Sequence, residues 1–149
     1  MVDLEKWLKQ EEGFASKPYR CPSGHWTIGY GHRIIQWSNY ADREITKSEA
    51  EQLLLVDMAI AHMAAEGAVG EETWQALPKE LKNVLAAIAF QVGGGGLRGF
   101  KKMLAAFCDG DWPRAARELR DSRLYAQTPD RVERLINIIM EVANGHTKT

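Results

Sequence analysis

Apolar residues recur at helical spacing at the start of the chain. The apolar positions of "LEKWL", residues 4–8, fall on one helix face, Asp3 is placed to cap the helix, and Gly13 supplies a left-handed stop. The last turn then carries Glu11 and Glu12, at the end where the helix dipole disfavours negative charge. A carboxylate placed there costs stability, which suggests that it serves another purpose.

After this helix the apolar period shortens to two residues. Between residues 17 and 32, "PSG" is typical of a turn, and Trp26, Ile28 and Tyr30 alternate with a threonine and two glycines. This pattern predicts a small antiparallel sheet. Glycine at every second position leaves one strand face bare, so that either a ligand or another part of the chain can approach it closely.

The remaining pattern is helical. Thr46 and Glu49 form a capping box that opens a predicted helix over residues 46–66, about 30 Å long and ended by Gly67. Further helices are predicted after Pro78 and over residues 99–107, 113–120 and 129–143, the last capped by Thr128 with Pro129 at its first position. The four glycines at 93–96 lack the Lys-Ser/Thr of a phosphate loop, so we predict a flexible connection between helices.

Charge is divided unevenly along the 149 residues. Residues 1–75 hold seven Lys and Arg against twelve Asp and Glu, whereas residues 76–149 hold twelve against eight. Such a division suits a cleft between unlike lobes that holds an anionic polymer, and equally suits attraction between the lobes alone. The basic residues near the C-terminus form no recognisable nucleic-acid motif, so we expect no nucleic acid as partner.

Two cysteines, Cys21 and Cys108, lie far apart without metal-type spacing, so we expect free thiols, no metal and no cofactor. The first residues are charged and contain no apolar core of an export signal. No run of apolar residues looks long enough to span a bilayer. We therefore expect synthesis in the cytoplasm and no insertion into a membrane.

One motif resembles a known family. Glu12-Gly13, Tyr19, Cys21, Gly24 and the strand "TIGYGH", Thr27 to His32, are similar to the T-even phage lysozyme family, the phage endolysins of glycoside hydrolase family 24. The resemblance continues in "ITKSEAEQL", in "AFQVG" followed by "GF", and in "SRLYAQTPDRVER". It implies a mainly helical α+β, lysozyme-like fold in one domain. It also implies the order of the parts: a sheet-bearing lobe (13–45), a linking helix (46–66) and a helical C-terminal lobe (71–149), with the first helix packed against the C-terminal lobe.

The same resemblance implies a muramidase that hydrolyses the β-1,4 bond between N-acetylmuramic acid and N-acetylglucosamine in peptidoglycan. Glu12 matches the general acid and Thr27 matches the threonine that holds the hydrolytic water. Cys21 stands where the best-known member has aspartate, and we expect a variant triad. In the alternative that we prefer, the Cys21 thiolate activates the water and the configuration of the anomeric centre is inverted. In a second alternative the thiolate attacks the sugar and the configuration is retained. In a third, Cys21 is inert.

Further residues match family positions around the site. Arg131 matches an arginine that approaches the catalytic glutamate, Arg134 is placed to pair with Glu11, and His32 and Asp57 match a structural ion pair. Six residues match positions that line or support the substrate cleft: Gly31, Phe90, Gln91, Tyr125, Gln127 and Thr128. Phe90 and Tyr125 also suit a purely structural place in the core.

The implied partner is the peptidoglycan glycan strand, bound by a monomer. Without an export signal the enzyme would need a membrane hole made by another protein, a holin, to reach the wall. A net charge of −1 makes attraction to an anionic wall weak. Two alternatives stay open: a non-catalytic peptidoglycan-binding module on the same fold, and a chitin-cleaving enzyme.

Overall fold

Eight helices and three short strands make up the part of the chain that the computed structural model describes, residues 3–35 and 43–145. The helices are α1 (Leu4–Glu12), α2 (Lys47–Val69), α3 (Glu71–Ala76), α4 (Lys79–Arg98), α5 (Lys101–Cys108), α6 (Trp112–Arg120), α7 (Arg123–Gln127) and α8 (Pro129–Ala143). The strands are β1 (Ala15–Arg20), β2 (Trp26–Gly29) and β3 (His32–Arg33). The predicted mainly helical α+β class is confirmed.

Helix α1 begins and ends as its sequence predicts. The Asp3 carboxylate accepts a hydrogen bond from the Lys6 backbone N–H at 3.3 Å. Gly13 adopts a positive φ of 70° and donates its backbone N–H to the Lys9 carbonyl. Glu12 is therefore the last helical residue, and the chain turns directly from it into the sheet.

The three strands form the antiparallel sheet that the period-two pattern predicts, in the order β1-β2-β3. Tyr19 lies opposite Thr27. The bare face of β2 is approached by the protein itself, since a Cβ on Gly29 would lie 3.1 Å from the Ala50 Cβ of α2. Glycine therefore permits close packing of sheet on helix here.

The start of α2 is confirmed and its end is not where we expected it. The Thr46 backbone N–H donates to Glu49 Oε1 and the Glu49 N–H donates to Thr46 Oγ1, both at 3.1 Å. The helix runs through Gly67 to Val69, because a helical glycine costs only about 1 kcal/mol and has no need to break the helix. It ends before Gly70, whose φ of 90° is not helical.

By length and composition α2 is apolar enough to cross a bilayer, with a mean hydropathy of 1.3 over 18 residues, of which 22% are buried. The expectation that no apolar segment is long enough to span a bilayer is therefore wrong by this average. The average is high without a continuous apolar run, because at most two residues of the 18 are Asp, Glu, Lys or Arg. The absence of membrane insertion stays a prediction. A single helix of this kind is weak support for a membrane span.

The predicted connection between helices is found at Gly93 alone, where two helical segments of α4 meet, whereas residues 94–96 are helical and not part of a flexible connection. Gly93 has φ 80° and ψ 166° and kinks the helix, and helical geometry resumes after it. A Cβ on Gly94 would lie 3.2 Å from the Ala64 Cβ, so small residues allow α4 to approach α2 closely. The short helices α3 and α7 were not predicted, since six and five residues are too few to show a period.

Contacts divide the chain into a sheet unit, Asp3–Ala59, and a helical unit that begins at Ile60. Leu8, Ile28 and Leu54 are fully buried in the sheet unit. In the helical unit α6 packs on α5 and α8, and α4 packs on α8. The core there is built from Leu81, Leu85, Ile88, Leu97, Met103, Phe107, Leu119, Leu135 and Ile136. The predicted lobe bounds and the packing of the first helix on the C-terminal lobe stay predictions.

Candidate active site

The Glu12 carboxylate lies against the backbone of Gly31. A Cβ on Gly31 would be 2.6 Å from Glu12 Oε1 and 2.8 Å from its Cδ, and Gly31 has a positive φ of 74°. Both the space and the backbone conformation therefore require glycine at this position. The structure thus brings together the predicted general acid and one predicted substrate-binding residue.

Cys21 begins the turn between β1 and β2. Its Sγ lies 2.9 Å from Ser23 Oγ, and the turn is closed by the Gly24 N–H on the Cys21 carbonyl at 2.8 Å. Burial raises the pKa of the thiol, but hydrogen bonds with the Ser23 hydroxyl, with the backbone of His25 and Ser23 and with Thr27 lower it from 9.0 to about 7. A thiol with this pKa is about half ionised at neutral pH.

Thr27 lies on β2 and is buried, with 4% of its surface exposed. Its hydroxyl donates to the His25 carbonyl at 3.0 Å. A threonine hydroxyl has one hydrogen, so this bond and a hydrogen bond to the Cys21 thiolate exclude each other; Thr27 also has the smallest of the effects that lower the Cys21 pKa. The lone pairs of Thr27 Oγ1 remain able to accept a hydrogen bond.

Tyr19 and Ser23 belong to this region, and sequence reasoning gave neither a role. Burial raises the pKa of Tyr19, and the negative charges of Glu12 and Cys21 raise it further. Glu12 and Cys21 are therefore both within electrostatic reach of one tyrosine. Tyr19 was visible as part of the motif, but its cross-strand pairing with Thr27 requires the register of the sheet.

His32 and Asp57 are in contact, as the resemblance implies. His32 Nδ1 lies 2.8 Å from Asp57 Oδ2, and about a fifth of each side chain is exposed. The bond ties β3 to α2. That it supports stability and not chemistry stays a prediction.

Gln91 and Thr128 hydrogen bond in the helical unit. Gln91 Nε2 donates to Thr128 Oγ1 at 3.1 Å, and Thr128 Oγ1 donates to the Leu124 carbonyl at 3.3 Å. Thr128 occupies the N-cap position of α8, but its side chain caps no α8 amide, so that part of the prediction is wrong. The hydroxyl orients the Gln91 amide instead.

Tyr125 uses its hydroxyl inside the helical unit. It donates to Glu133 Oε2 at 2.8 Å, and Arg120 donates to Glu133 Oε1 at 2.6 Å. The bond to Glu133 raises the pKa of Tyr125, with burial as the second cause. Phe90 is half-buried. Substrate contact by either aromatic residue stays a prediction.

Gln127 is exposed and lines a cavity of about 640 Å³ among α4, α5, α6 and α7, next to Phe100 and Lys101. Arg131 is half-buried and Arg134 exposed on α8. The predicted approach of Arg131 to Glu12 and the predicted pairing of Arg134 with Glu11 stay predictions. Residues 3–35 and 43–145 contain no group of three or more side chains suited to a metal ion.

Known proteins resemble this chain over most of its length. A model of the family described as phage lysozyme matches residues 9–135. The pre-baseplate central spike protein Gp5 of Enterobacteria phage T4 is 32% identical over 93% of this chain, which spans 28% of that protein. The probable T4-type lysozyme 2 of Dictyostelium discoideum is 30% identical over 91% of this chain and 92% of its own length.

An endolysin of Acyrthosiphon pisum secondary endosymbiont phage 1 is 42% identical over 35% of this chain and 34% of its own length. The family match includes α1 from Lys9, the whole sheet and the helices as far as Leu135 in α8. It therefore contains every residue of the Glu12, Cys21 and Thr27 region. Together with the similarity over 92% of the length of the probable Dictyostelium discoideum lysozyme, this match shows that the chain belongs to the phage lysozyme family.

Proposed function

We propose that this chain hydrolyses peptidoglycan as a lysozyme, at the β-1,4 bond between N-acetylmuramic acid and N-acetylglucosamine. The observation that carries the proposal is Glu12 seated on Gly31 in the same unit as the Cys21 thiol, whose pKa is about 7. Glycoside hydrolysis needs a proton donor and a base or nucleophile, and these two side chains supply both. Membership of the phage lysozyme family supports this assignment.

Glu12 is the general acid in this mechanism. Its carboxyl group gives its proton to the glycosidic oxygen as the bond to the leaving sugar breaks. Gly31 leaves room for this position of the acid, because a Cβ there would displace the carboxylate.

Thr27 and Cys21 orient the water molecule that attacks the sugar, and Cys21 activates it. Since Thr27 gives its only hydrogen to the His25 carbonyl, its oxygen accepts one hydrogen of the water, and the Cys21 thiolate accepts the other. A water that donates both hydrogens has its lone pairs free to attack the sugar. The thiolate takes up the proton as the new C–O bond forms.

This assignment predicts inversion at the anomeric carbon. The alternative is attack by the thiolate on the sugar, which forms a thioglycosyl intermediate and leads to retention. NMR of the first product anomer separates them. The α-anomer is expected, and the β-anomer would assign Cys21 as nucleophile.

Replacement of the acid tests the activity itself. Glu12→Gln should lower the rate of muropeptide release from purified peptidoglycan about 100-fold or more, because general acid catalysis contributes roughly that factor. Glu5→Gln on the same helix is the matched control and should keep the wild-type rate. A Glu12→Gln protein that is folded and fully active would contradict the assignment.

The products separate hydrolysis from the alternatives. A lysozyme releases new reducing ends of N-acetylmuramic acid, whereas a non-catalytic module binds peptidoglycan and releases none. Chitin oligomers in a parallel reaction identify a chitin-cleaving enzyme. We expect reducing ends from peptidoglycan and far fewer from chitin.

An endolysin role, with synthesis in a host cytoplasm and release through a holin, is part of the proposal. The similarity to a phage endolysin supports it, although over only 35% of this chain. Expression in bacteria with and without a co-expressed holin tests it. Lysis only with the holin is expected, and lysis independent of it would contradict this role.

A further inference from the structure

The sheet places Arg33 beside Thr27. Arg33 on β3 is the partner in register of Thr27 on β2, and Tyr19 on β1 is the partner of Thr27 on its other side. The Ile34 backbone N–H donates to the Trp26 carbonyl at 2.9 Å. The next pair along these strands is therefore a non-hydrogen-bonded one, in which the Cα atoms lie about 4.5 Å apart. Because opposite residues share one face of a sheet, Arg33 lies on the face of the proposed water-holding threonine.

The opposite face of β2 and β3 is turned towards the protein. Ile28 and His32 are partners in register there. Ile28 is fully buried, and His32 bonds to Asp57 of α2. Since successive side chains of a strand point to opposite faces, the Arg33 side chain points away from α2. It is accordingly exposed, whereas Thr27 beside it is buried, so the guanidinium group borders the proposed site and is open to solvent.

Most other basic side chains of the sheet unit have partners. Three pair with carboxylates and two lie over aromatic rings: Lys9, Lys17 and Arg43, and Arg20 and Lys47. Within residues 3–35 and 43–145 the side chains of Arg33 and Lys6 make no ion pair, hydrogen bond or ring contact, and Lys6 lies on α1. The N–H donors of Arg33 are therefore available to a ligand.

The ligand that fits this group is a carboxylate. A guanidinium group binds a carboxylate through two parallel hydrogen bonds. In peptidoglycan every second sugar carries a lactyl carboxyl group, either free or joined to a peptide that itself bears carboxylates. Chitin carries no carboxylate. The proposed substrate therefore brings carboxylates to the face that holds Arg33, and chitin does not.

We propose that Arg33 binds a carboxylate of the glycan strand, from the lactyl group or from the attached peptide, and thereby favours peptidoglycan over chitin. This inference rests on the proposed function, since it concerns the strand that lies on the Thr27 face. Arg33 holds the substrate and the transition state alike, so it contributes to binding and not to the rate at saturation. Because Arg33 is exposed, this contribution is screened by salt.

Binding of soluble glycan strands, measured by isothermal titration calorimetry, tests the proposal. All proteins carry Glu12→Gln, so that the strands are not hydrolysed. Arg33→Gln removes the charge. Arg20→Gln is the matched control, since Arg20 is an exposed arginine of the same sheet, one position along from the Tyr19–Thr27 pair and hence on the opposite face. The strands are used with their peptides, without peptides, and in both forms after amidation of their carboxylates.

Arg33→Gln should raise Kd about fivefold for strands that carry carboxylates, and Arg20→Gln should leave it unchanged. Amidated strands should bind equally to Arg33→Gln and to its parent. A loss confined to strands with peptides assigns the peptide carboxylate as the ligand. A loss that is also seen without peptides assigns the lactyl group.

An equal Kd of Arg33→Gln and its parent for both carboxylate strands would overturn the proposal. So would the same loss with amidated strands, because Arg33 would then act through the structure and not through charge. An equal loss by Arg20→Gln would also overturn it, because the attraction would then be general to the basic surface. No hydrolysis is measured here, so these results are separate from the release of reducing ends that tests the proposed activity.

Discussion

The region from Cys21 to Thr27 and the helical unit use their polar side chains at different ranges along the chain. Around Cys21 and Thr27 the hydrogen bonds join residues two positions apart within one turn. In the helical unit Gln91 bonds to Thr128, 37 positions away, and Tyr125 bonds to Glu133 on the next helix. The first set arranges reactive groups, whereas the second set holds helices together.

This difference says where the chemistry can be preorganised. The turn of residues 21–25 and the start of β2 place the thiol and the threonine by local geometry. The helical unit has a large apolar core in which polar side chains contribute mainly to orientation. Substitutions beside Glu12, Cys21 and Thr27 should therefore act on the rate of hydrolysis, and substitutions in the helical unit should act on stability.

The largest effect is expected at Gly31. Gly31→Ala places a Cβ 2.6 Å from Glu12 Oε1 and should lower the rate of muropeptide release about 100-fold, because the acid must move. Gly110→Ala is the matched control: Gly110, which follows α5 in the helical unit, also has a positive φ, 69°, but nothing lies within 4 Å of its Cβ position. If both variants lose activity equally, backbone strain and not displacement of Glu12 is the cause.

The next effect concerns stability within the sheet unit. His32→Asn removes the 2.8 Å bond to Asp57 and should lower the free energy of unfolding by about 1–2 kcal/mol, because that is the usual contribution of a hydrogen bond to a carboxylate at a partly exposed site. The rate of muropeptide release per folded molecule should stay unchanged. Denaturant unfolding checks the first value, with His25→Asn, an exposed histidine, as control. A stable but inactive His32→Asn protein would place His32 in the chemistry.

The smallest effect is expected in the helical unit. Tyr125→Phe removes the bond to Glu133 and should lower the free energy of unfolding only slightly, because solvent screens this contact, with KM for soluble peptidoglycan changed less than twofold. Arg120→Gln removes the other hydrogen bond to Glu133 and keeps the Tyr125 side chain, so it serves as the control. A KM raised several-fold by Tyr125→Phe alone would assign Tyr125 to substrate binding.

Local signals predicted the fold well where a single side chain decides the structure. Asp3, Gly13 and the Thr46–Glu49 box place the ends of α1 and the start of α2, because each satisfies backbone groups within four residues. The helical conformation of residues 94–96 was missed, since Gly94 packs against Ala64 of another helix and the sequence does not show which helix lies beside it. The exposure of apolar side chains on α2 was missed because periodicity marks an apolar face without showing what covers it.

The sequence likewise predicted some features of the candidate site and not others. The motif identified Glu12, Cys21 and Thr27, whose residue types carry the chemistry. It did not reveal the Ser23 hydroxyl beside the thiol, or that Thr27 donates to a carbonyl, because both depend on the shape of the turn. The lowered pKa of Cys21 could therefore not be predicted from the sequence.

The central claim is that the Cys21 thiolate is the base, and the pH dependence of muropeptide release tests it most directly. Wild type should gain activity as pH rises through about 7, because the thiol must lose its proton. Cys21→Asp should move this rise towards pH 4, the usual range of a carboxyl group. Cys21→Ser should lower the rate of muropeptide release about 100-fold or more. All of these proteins carry Cys108→Ser, which removes the other free thiol. A Cys21→Ser protein with the wild-type rate and the same rise near pH 7 would contradict the account.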